Sequence, residues 1–376
     1  MPGLYFHIPF CKQACHYCDF HFSTNLTRTE EMVNAMVQEL ALQKNYLESK
    51  KLTSIYFGGG TPSLLKAHHF EKIFNAIGNI FQFDKDCEIT LEANPDDLSV
   101  EQLNMFLKSG VNRLSIGIQS FDDEILKFIN RAHDSKMAIE ALKNVQRGGF
   151  ENFSLDLIYA IPGQDNALLQ HNIKTALHFS PQHISAYGLT IEPKTVFGNW
   201  VSKNKLNQVD ESMNADQYEL ISNELVDHGY EHYEISNYCK PGKYSRHNSS
   251  YWKQTPYLGI GPSAHSYNRV SRQFNINNNA IYIKSINNNE VPFQIETLTT
   301  ENKIDEYVFT TLRTMWGCNL KVLKDEYQFD LISRNKTYVD KLIDQDLATL
   351  DKNFLFLTKK GKLLADQISL DLMVSL

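Results

Sequence analysis

Three cysteines near the start of the chain have a spacing suited to metal binding. Cys11, Cys15 and Cys18 form a C-x3-C-x2-C pattern, whereas the other three of the six cysteines are scattered. Iron–sulfur clusters are bound by cysteine thiolates, and three ligands leave one iron of a cubane open. Zinc is an alternative, with His16 as the fourth ligand that structural zinc requires. The spacing alone also permits three unrelated buried cysteines.

A second motif consists of three glycines followed by Thr61 and Pro62, directly after an apolar run. Glycines without a Cβ let the backbone approach a ligand closely, and Gly59 and Gly60 are the central candidates. In parallel βα folds, ligands bind at the carboxyl ends of strands, where this motif is placed. A tight turn without a ligand is the structural alternative.

Polar residues also end or interrupt other apolar runs. Glu92, Gln119 and Asp156 lie at such positions, and Arg131 follows one helical segment later. Each is compatible with an ordinary polar position at the rim of a sheet. An aspartate within an apolar strand is costly unless it is paired, which favours a role for Asp156.

The elements that must position these residues alternate along the first half of the chain. Short β-rich runs alternate with helical segments up to about residue 190, which predicts parallel βα units. The six predicted strands are Leu4–Ile8, Ser54–Phe57, Glu88–Leu91, Arg113–Ile118, Phe153–Ile158 and His183–Tyr187. A complete eight-stranded barrel needs more chain. We therefore predict an α/β fold with an incomplete (β/α)6 TIM-type barrel over residues 1–235.

The pattern changes in the second half. Residues 236–300, with an asparagine-rich stretch, are predicted to be a connector. Residues 301–376 predict a small domain of winged-helix type, with a hairpin at Leu347–Thr358. This domain carries eleven Lys/Arg and twelve Asp/Glu, a balance that disfavours binding to DNA phosphates.

The whole chain has 376 residues and a net charge of -7, which does not predict a general nucleic-acid-binding surface. The sequence contains no signal-peptide pattern and no run approaching about 20 apolar residues. We therefore expect a cytoplasmic protein that does not span a membrane, in a compartment where thiols stay reduced. Cys87, Cys239 and Cys318 are predicted to be small buried residues.

The cysteine motif, with Tyr17 before its last cysteine and a strand before its first, resembles the signature of radical SAM proteins. The resemblance implies a [4Fe–4S] cluster on the three cysteines, with S-adenosylmethionine (SAM) chelating the open iron. It also implies that the glycine segment lines the methionine part of SAM. The residues it further implies near SAM are Tyr5, Tyr17, Gly59, Gly60, Thr61, Glu92, Gln119, Arg131 and Asp156.

Longer segments resemble the HemN/HemW group of this superfamily: YFHIPFC, YFGGGTPS, LEANPDDL, RLSIGIQSF and YAIPGQ. The HemN branch contains oxygen-independent coproporphyrinogen III dehydrogenases, which need a further cysteine where this chain has Phe20. The run from His247 to Trp252 matches the H-N-x-x-Y-W motif of the HemW branch of heme chaperones. The resemblance therefore favours heme handling, with the dehydrogenase reaction as the alternative.

The same resemblance implies that the protein carries heme and delivers it to a heme-accepting apoprotein. That acceptor can be a membrane-associated protein. A flavodoxin or ferredoxin is the implied electron donor. His247 is a candidate axial ligand, because neutral imidazole is a common iron donor. Hydrogen bonding of His247 within a structural loop is the equal alternative, and His7 and His265 are weaker candidates for the ligand.

Overall fold

The computed structural model describes residues 1–374 and contains one large mixed sheet. Its strands are β1 (Gly3–Ile8), β2 (Lys51–Gly59), β3 (Gln82–Ala93), β4 (Arg113–Gln119), β5 (Phe153–Tyr159), β6 (His183–Gly188), β7 (Glu231–Glu234), β8 (Asn237–Cys239), β9 (Tyr257–Ile260), β10 (His265–Tyr267), β11 (Ser271–Asn275) and β12 (Phe293–Thr297). They lie in the order β12-β11-β10-β9-β1-β2-β3-β4-β5-β6-β8-β7. The six predicted strands are confirmed as β1–β6, which pair in parallel.

Helices follow most of these strands. They are α1 (Thr29–Leu42), α2 (Ala67–Gly78), α3 (Val100–Lys108), α4 (Asp123–Phe128), α5 (Ser135–Arg147), α6 (Asn166–His178), α7 (Val196–Ser202), α8 (Glu211–Asp227), α9 (Arg246–Trp252) and α10 (Asn279–Asn287). Their starts are encoded locally. The side chains of Ser99, Asp122 and Asp134, for example, accept hydrogen bonds from backbone N–H groups in the first turns of α3, α4 and α5.

The central parallel strands are buried on both faces, as expected for a sheet covered by helices. All residues of β4 except Gln119 are buried, and all residues of β5 except Asp156 are buried. The two exceptions are predicted site residues. Within the described chain the end strands β7 and β12 do not pair with each other, so the barrel stays open, in agreement with the predicted α/β incomplete barrel.

The segment predicted as a connector is instead largely regular structure. Strand β9 pairs in parallel with β1, and β10, β11 and β12 continue the same sheet by antiparallel pairing. The asparagine-rich stretch supplies a helix cap, because Asn278 Oδ1 accepts hydrogen bonds from the N–H groups of Ala280 and Ile281 at the start of α10. The connector interpretation was wrong because these strands are too short to show a clear period.

Residues after about 300 form a separate small core with the order of a winged helix. Its elements are α11 (Thr300–Leu312), β13 (Cys318–Asn319), α12 (Leu320–Tyr327), α13 (Leu331–Arg334), α14 (Lys336–Asp344), β14 (Ala348–Asp351), β15 (Phe354–Leu357), α15 (Lys359–Lys362) and α16 (Ala365–Asp371). Strands β14 and β15 form the predicted hairpin. The domain contacts α9, where the Arg313 guanidinium lies 5.8 Å from the centre of the Trp252 ring.

Candidate functional site

The three clustered cysteines lie on the loop that follows β1. Backbone hydrogen bonds hold this loop across the carboxyl ends of the strands: Cys11 N donates to Ser23 O (3.1 Å), and His16 N donates to Ile129 O (3.1 Å). All three thiols are partly exposed and line one cavity of about 380 Å³. The loop therefore presents a three-thiol ligand set to a single space, as a cluster with one open iron requires.

Burial affects how these thiols ionise. It raises the pKa of Cys11 and raises the pKa of Cys18 to about 12, so both are protonated near neutral pH without a metal. Bound iron would displace the protons, because cysteine coordinates metal as the thiolate. His16 is not part of the cavity lining, and its Nδ1–H donates to Phe128 O (2.9 Å). The arrangement therefore fits a three-cysteine cluster better than a zinc site with His16.

The glycine segment lines the same cavity as the cysteines. Gly59 has a φ of +104°, and a Cβ on Gly60 would lie 2.6 Å from Phe10 O. Thr61 N donates to the same Phe10 carbonyl at 2.6 Å. The glycines are thus required so that the end of β2 can pack against the cysteine loop, and their backbone borders the cavity.

Arg131 is the cation of the cavity. Its Nη2 donates to Asn94 Oδ1 (2.5 Å) and Gly117 O (2.7 Å), and its Nη1 lies 3.5 Å from Cys15 Sγ. Its Nε is buried and has no hydrogen-bond partner among the residues described. A half-buried guanidinium with an unused donor beside the thiols suits a ligand carboxylate.

Two half-buried carboxylates lie on β3 and β5, the strands on either side of β4. Glu92 accepts hydrogen bonds from Tyr56 Oη (2.8 Å) and Gly59 N (3.1 Å), and Asp156 accepts from Ser115 Oγ (3.3 Å). Burial, and then the charge of Asp156, raise the pKa of Glu92 to about 7. Burial also raises the pKa of Asp156. Both groups can accept hydrogen bonds from ligand hydroxyls.

The structure brings together most of the predicted site. The cavity is lined by Cys11, Cys15, Tyr17, Cys18, Gly59, Gly60, Thr61, Glu92, Gln119, Arg131 and Asp156. Tyr5 does not line it, and its Oη donates to His7 Nδ1 (3.1 Å). Lining residues that the sequence analysis did not assign include Asn94, Ser115, Ser185, Tyr187 and Asn248. Asn94 and Tyr187 are polar residues at strand ends, which is a signal that the sequence carries, whereas Ser115 and Ser185 lie within β4 and β6 and Asn248 comes from α9.

His247 lies in the core rather than at a binding surface. It is 1 % exposed, with Nδ1 3.3 Å from Ser54 Oγ and Nε2 2.9 Å from Tyr251 Oη. Its ring stacks on Tyr56 at 4.7 Å between ring centres. Burial lowers its pKa to about 3, so the imidazole is neutral. Both ring nitrogens are already engaged, and the candidate heme ligand is therefore a packing residue of the H-N-x-x-Y-W helix in this structure.

His7 is also engaged. Its Nε2–H donates to His21 O (2.8 Å), while its Nδ1 accepts from Tyr5. Burial lowers its pKa to about 4. His7 therefore anchors the end of the cysteine loop in its neutral form and offers no free nitrogen to iron.

Comparisons with known proteins agree with this geometry. The model of the radical SAM superfamily matches residues 5–175. A Bacillus subtilis protein named heme chaperone HemW is 36% identical over 98% of both chains, and a Lactococcus lactis protein of that name is 35% identical over 95% of this chain and 93% of its own. The solved structure of HemN, a coproporphyrinogen III oxidase from Escherichia coli, covers 100% of this chain and 91% of its own with a TM-score of 0.85, at 22% identity.

Across residues 1–374, none of the helices is long and apolar enough to cross a membrane. The HemN likeness confirms the fold, and the relatives named HemW match this chain over nearly its full length. The chain belongs to the radical SAM superfamily and, within it, to the HemW family.

Proposed function

We propose that this protein is a radical SAM-type heme chaperone that binds a [4Fe–4S] cluster, SAM and heme and delivers heme to an acceptor protein. The relatives named heme chaperone HemW, which match nearly the entire chain, support the heme function. The observation that carries the cofactor assignment is the single cavity in which three thiols, one arginine and two carboxylates converge.

Each group in the cavity has a distinct binding role. Cys11, Cys15 and Cys18 would hold three irons, which leaves the fourth for the amino and carboxylate groups of SAM. The free Nε of Arg131 would pair with that carboxylate, since charge-assisted bonds to arginine are strong. Glu92 would accept from ribose hydroxyls. When bound, the cluster supplies an electron that can cleave SAM.

The porphyrin-synthesising alternative is disfavoured by one residue. Phe20 lines the cavity and is 66% exposed. It stands at the position where dehydrogenases of the HemN branch have a cysteine. A phenyl ring cannot donate a proton or hydrogen atom as a thiol does. The cavity therefore lacks, at that position, the group that the dehydrogenase reaction requires.

The test is to reconstitute the cluster without oxygen and supply SAM, a reductant and coproporphyrinogen III beside an active dehydrogenase control. We expect no decarboxylated product, together with saturable heme binding in a parallel titration. Protoporphyrinogen or the singly decarboxylated intermediate would overturn the chaperone proposal. Four statements stay predictions. They are the acceptor apoprotein, an electron donor of flavodoxin or ferredoxin type, the absence of nucleic acid as a partner and the cytoplasmic location.

A further inference from the structure

A second cleft lies on the sheet extension formed by β10, β11 and β12. Its volume is about 730 Å³, within the range of roughly 300–1,000 Å³ of small-molecule sites. The lining contains one imidazole, that of His265, and the apolar side chains of Phe274, Ile276, Val291, Pro292 and Phe293. Phe293 is 43% exposed, so part of this apolar surface faces solvent.

His265 differs from His7 and His247 in having free nitrogens. Its side chain is exposed, and no hydrogen bond within residues 1–374 reaches either of its ring nitrogens. Partial burial, and then the charge of Arg272, lower its pKa below the ordinary value, so the imidazole is neutral near pH 7. A neutral, unengaged imidazole is the form that donates an electron pair to iron.

The strand register places an aromatic ring beside this imidazole. His265 pairs directly with Phe274, and their ring centres are 5.4 Å apart. Phe274 pairs in turn with Gln294, so the three side chains cross β10, β11 and β12 on one face. A flat apolar macrocycle could lie against this row with its metal at the imidazole.

The ends of the cleft are polar. Ser263, Asn277 and Gln294 contribute hydroxyl or amide groups to the lining. Arg272 lies two residues from Phe274 on the same face of β11, where its guanidinium pairs with Glu306 (2.8 Å). Propionate groups of heme are anions that suit amide donors and a nearby guanidinium.

The cleft also lies on the cavity side of the sheet. Tyr5 pairs with Tyr56 of the cavity wall and with Gly259, and Tyr257 pairs with Tyr267. Alternation along β9 and β10 therefore gives His265 the same face as Tyr5. Cargo bound here would share the concave side of the sheet with the cysteine loop.

We propose that heme binds in this cleft with His265 as an axial iron ligand, in place of the sequence candidate His247. The inference rests on the proposed heme function and specifies where the cargo lies. Binding forms an iron–nitrogen bond from the neutral imidazole, which displaces at most a water from the iron and needs no change of oxidation state.

The experiment is a titration of the full-length protein with ferric heme, followed by the Soret absorbance and by electron paramagnetic resonance. We expect His265→Gly to weaken binding at least tenfold and to lose the imidazole-type spectrum. Free imidazole added to His265→Gly should restore that spectrum. His171→Gly, which removes an exposed imidazole from α6, is the matched control and should behave as the unmodified protein.

The outcomes separate the two claims. If the unmodified protein does not bind heme, the proposed function itself fails. If it binds and His265→Gly gives the same affinity and spectrum, the function stands and the His265 assignment is wrong. Equal losses in His265→Gly and His171→Gly would show nonspecific binding to surface histidines and would also overturn the assignment. A second variant, Phe274→Asp, changes the ring that lies beside His265 on the same face and should weaken binding without changing the ligand spectrum.

Discussion

Arg131 offers the sharpest test of the SAM site, because its side chain lies among the cavity residues that would contact the ligand. The guanidinium is fixed by Asn94 and Gly117 and lies beside Cys15. Arg131→Gln removes the positive charge and the fork of donors while keeping a side chain of similar polarity. We expect this variant to bind SAM much more weakly at an intact cluster.

The magnitude follows from the burial of the pair. A hydrogen bond to a charged group contributes about 1.5–3 kcal/mol, and an unpaired buried carboxylate falls at the upper end of that range. A loss of about 2–3 kcal/mol corresponds to a roughly 30- to 150-fold rise in Kd. Arg131→Lys keeps the charge but cannot reproduce the fork of donors. Its Kd for SAM should therefore lie between those of the unmodified protein and Arg131→Gln.

The assay is equilibrium binding of SAM to reconstituted protein, with iron content measured on each sample. Arg147→Gln, at a side chain that is 71% exposed, is the control for charge removal on the surface. Iron content has to match the unmodified protein, because Arg131 also contacts Cys15. A variant with full iron and unchanged SAM affinity would refute the carboxylate role of Arg131.

The remaining predictions concern the cluster, the packing histidine and one buried acid. Cys15→Ala should abolish cluster binding while Cys87→Ala keeps it, and full iron in the first variant would contradict the ligand assignment. His247→Ala should lower the thermal midpoint through a loss of about 2–4 kcal/mol, yet keep heme affinity below that midpoint; an unchanged midpoint would argue against the packing role. Glu39 is fully buried, and its burial raises the pKa from 4.5 to about 7. Its contribution to stability is therefore complete below pH 4.5 and decreases by about 3 kcal/mol as pH rises through 7, and a Glu39→Gln variant that keeps the same pH dependence in unfolding experiments would refute this.

The sequence alone predicted the elements whose signals are local. Strongly apolar runs mark β1–β6, because strands buried on both faces need apolar residues at nearly every position. The C-x3-C-x2-C spacing and the radical SAM resemblance predict the cluster ligands, since three thiols within eight residues of one loop can reach one metal centre without knowledge of the fold. The resemblance to radical SAM proteins then implied that Glu92 and Asp156 lie near SAM, and the structure places both in the cavity beside that loop.

The tertiary structure decided what depends on packing between distant segments. The pairing of β9 with β1, and of β10–β12 beyond it, turned a predicted connector into part of the sheet, because short edge strands carry little periodic signal of their own. The histidines also differ in whether their ring nitrogens are engaged. Ser54 and Tyr251 occupy both nitrogens of His247, whereas His265 faces an open cleft. Tyr251 lies four residues from His247 on the same helix, but Ser54 comes from β2, and the sequence around His247 does not report that distant partner.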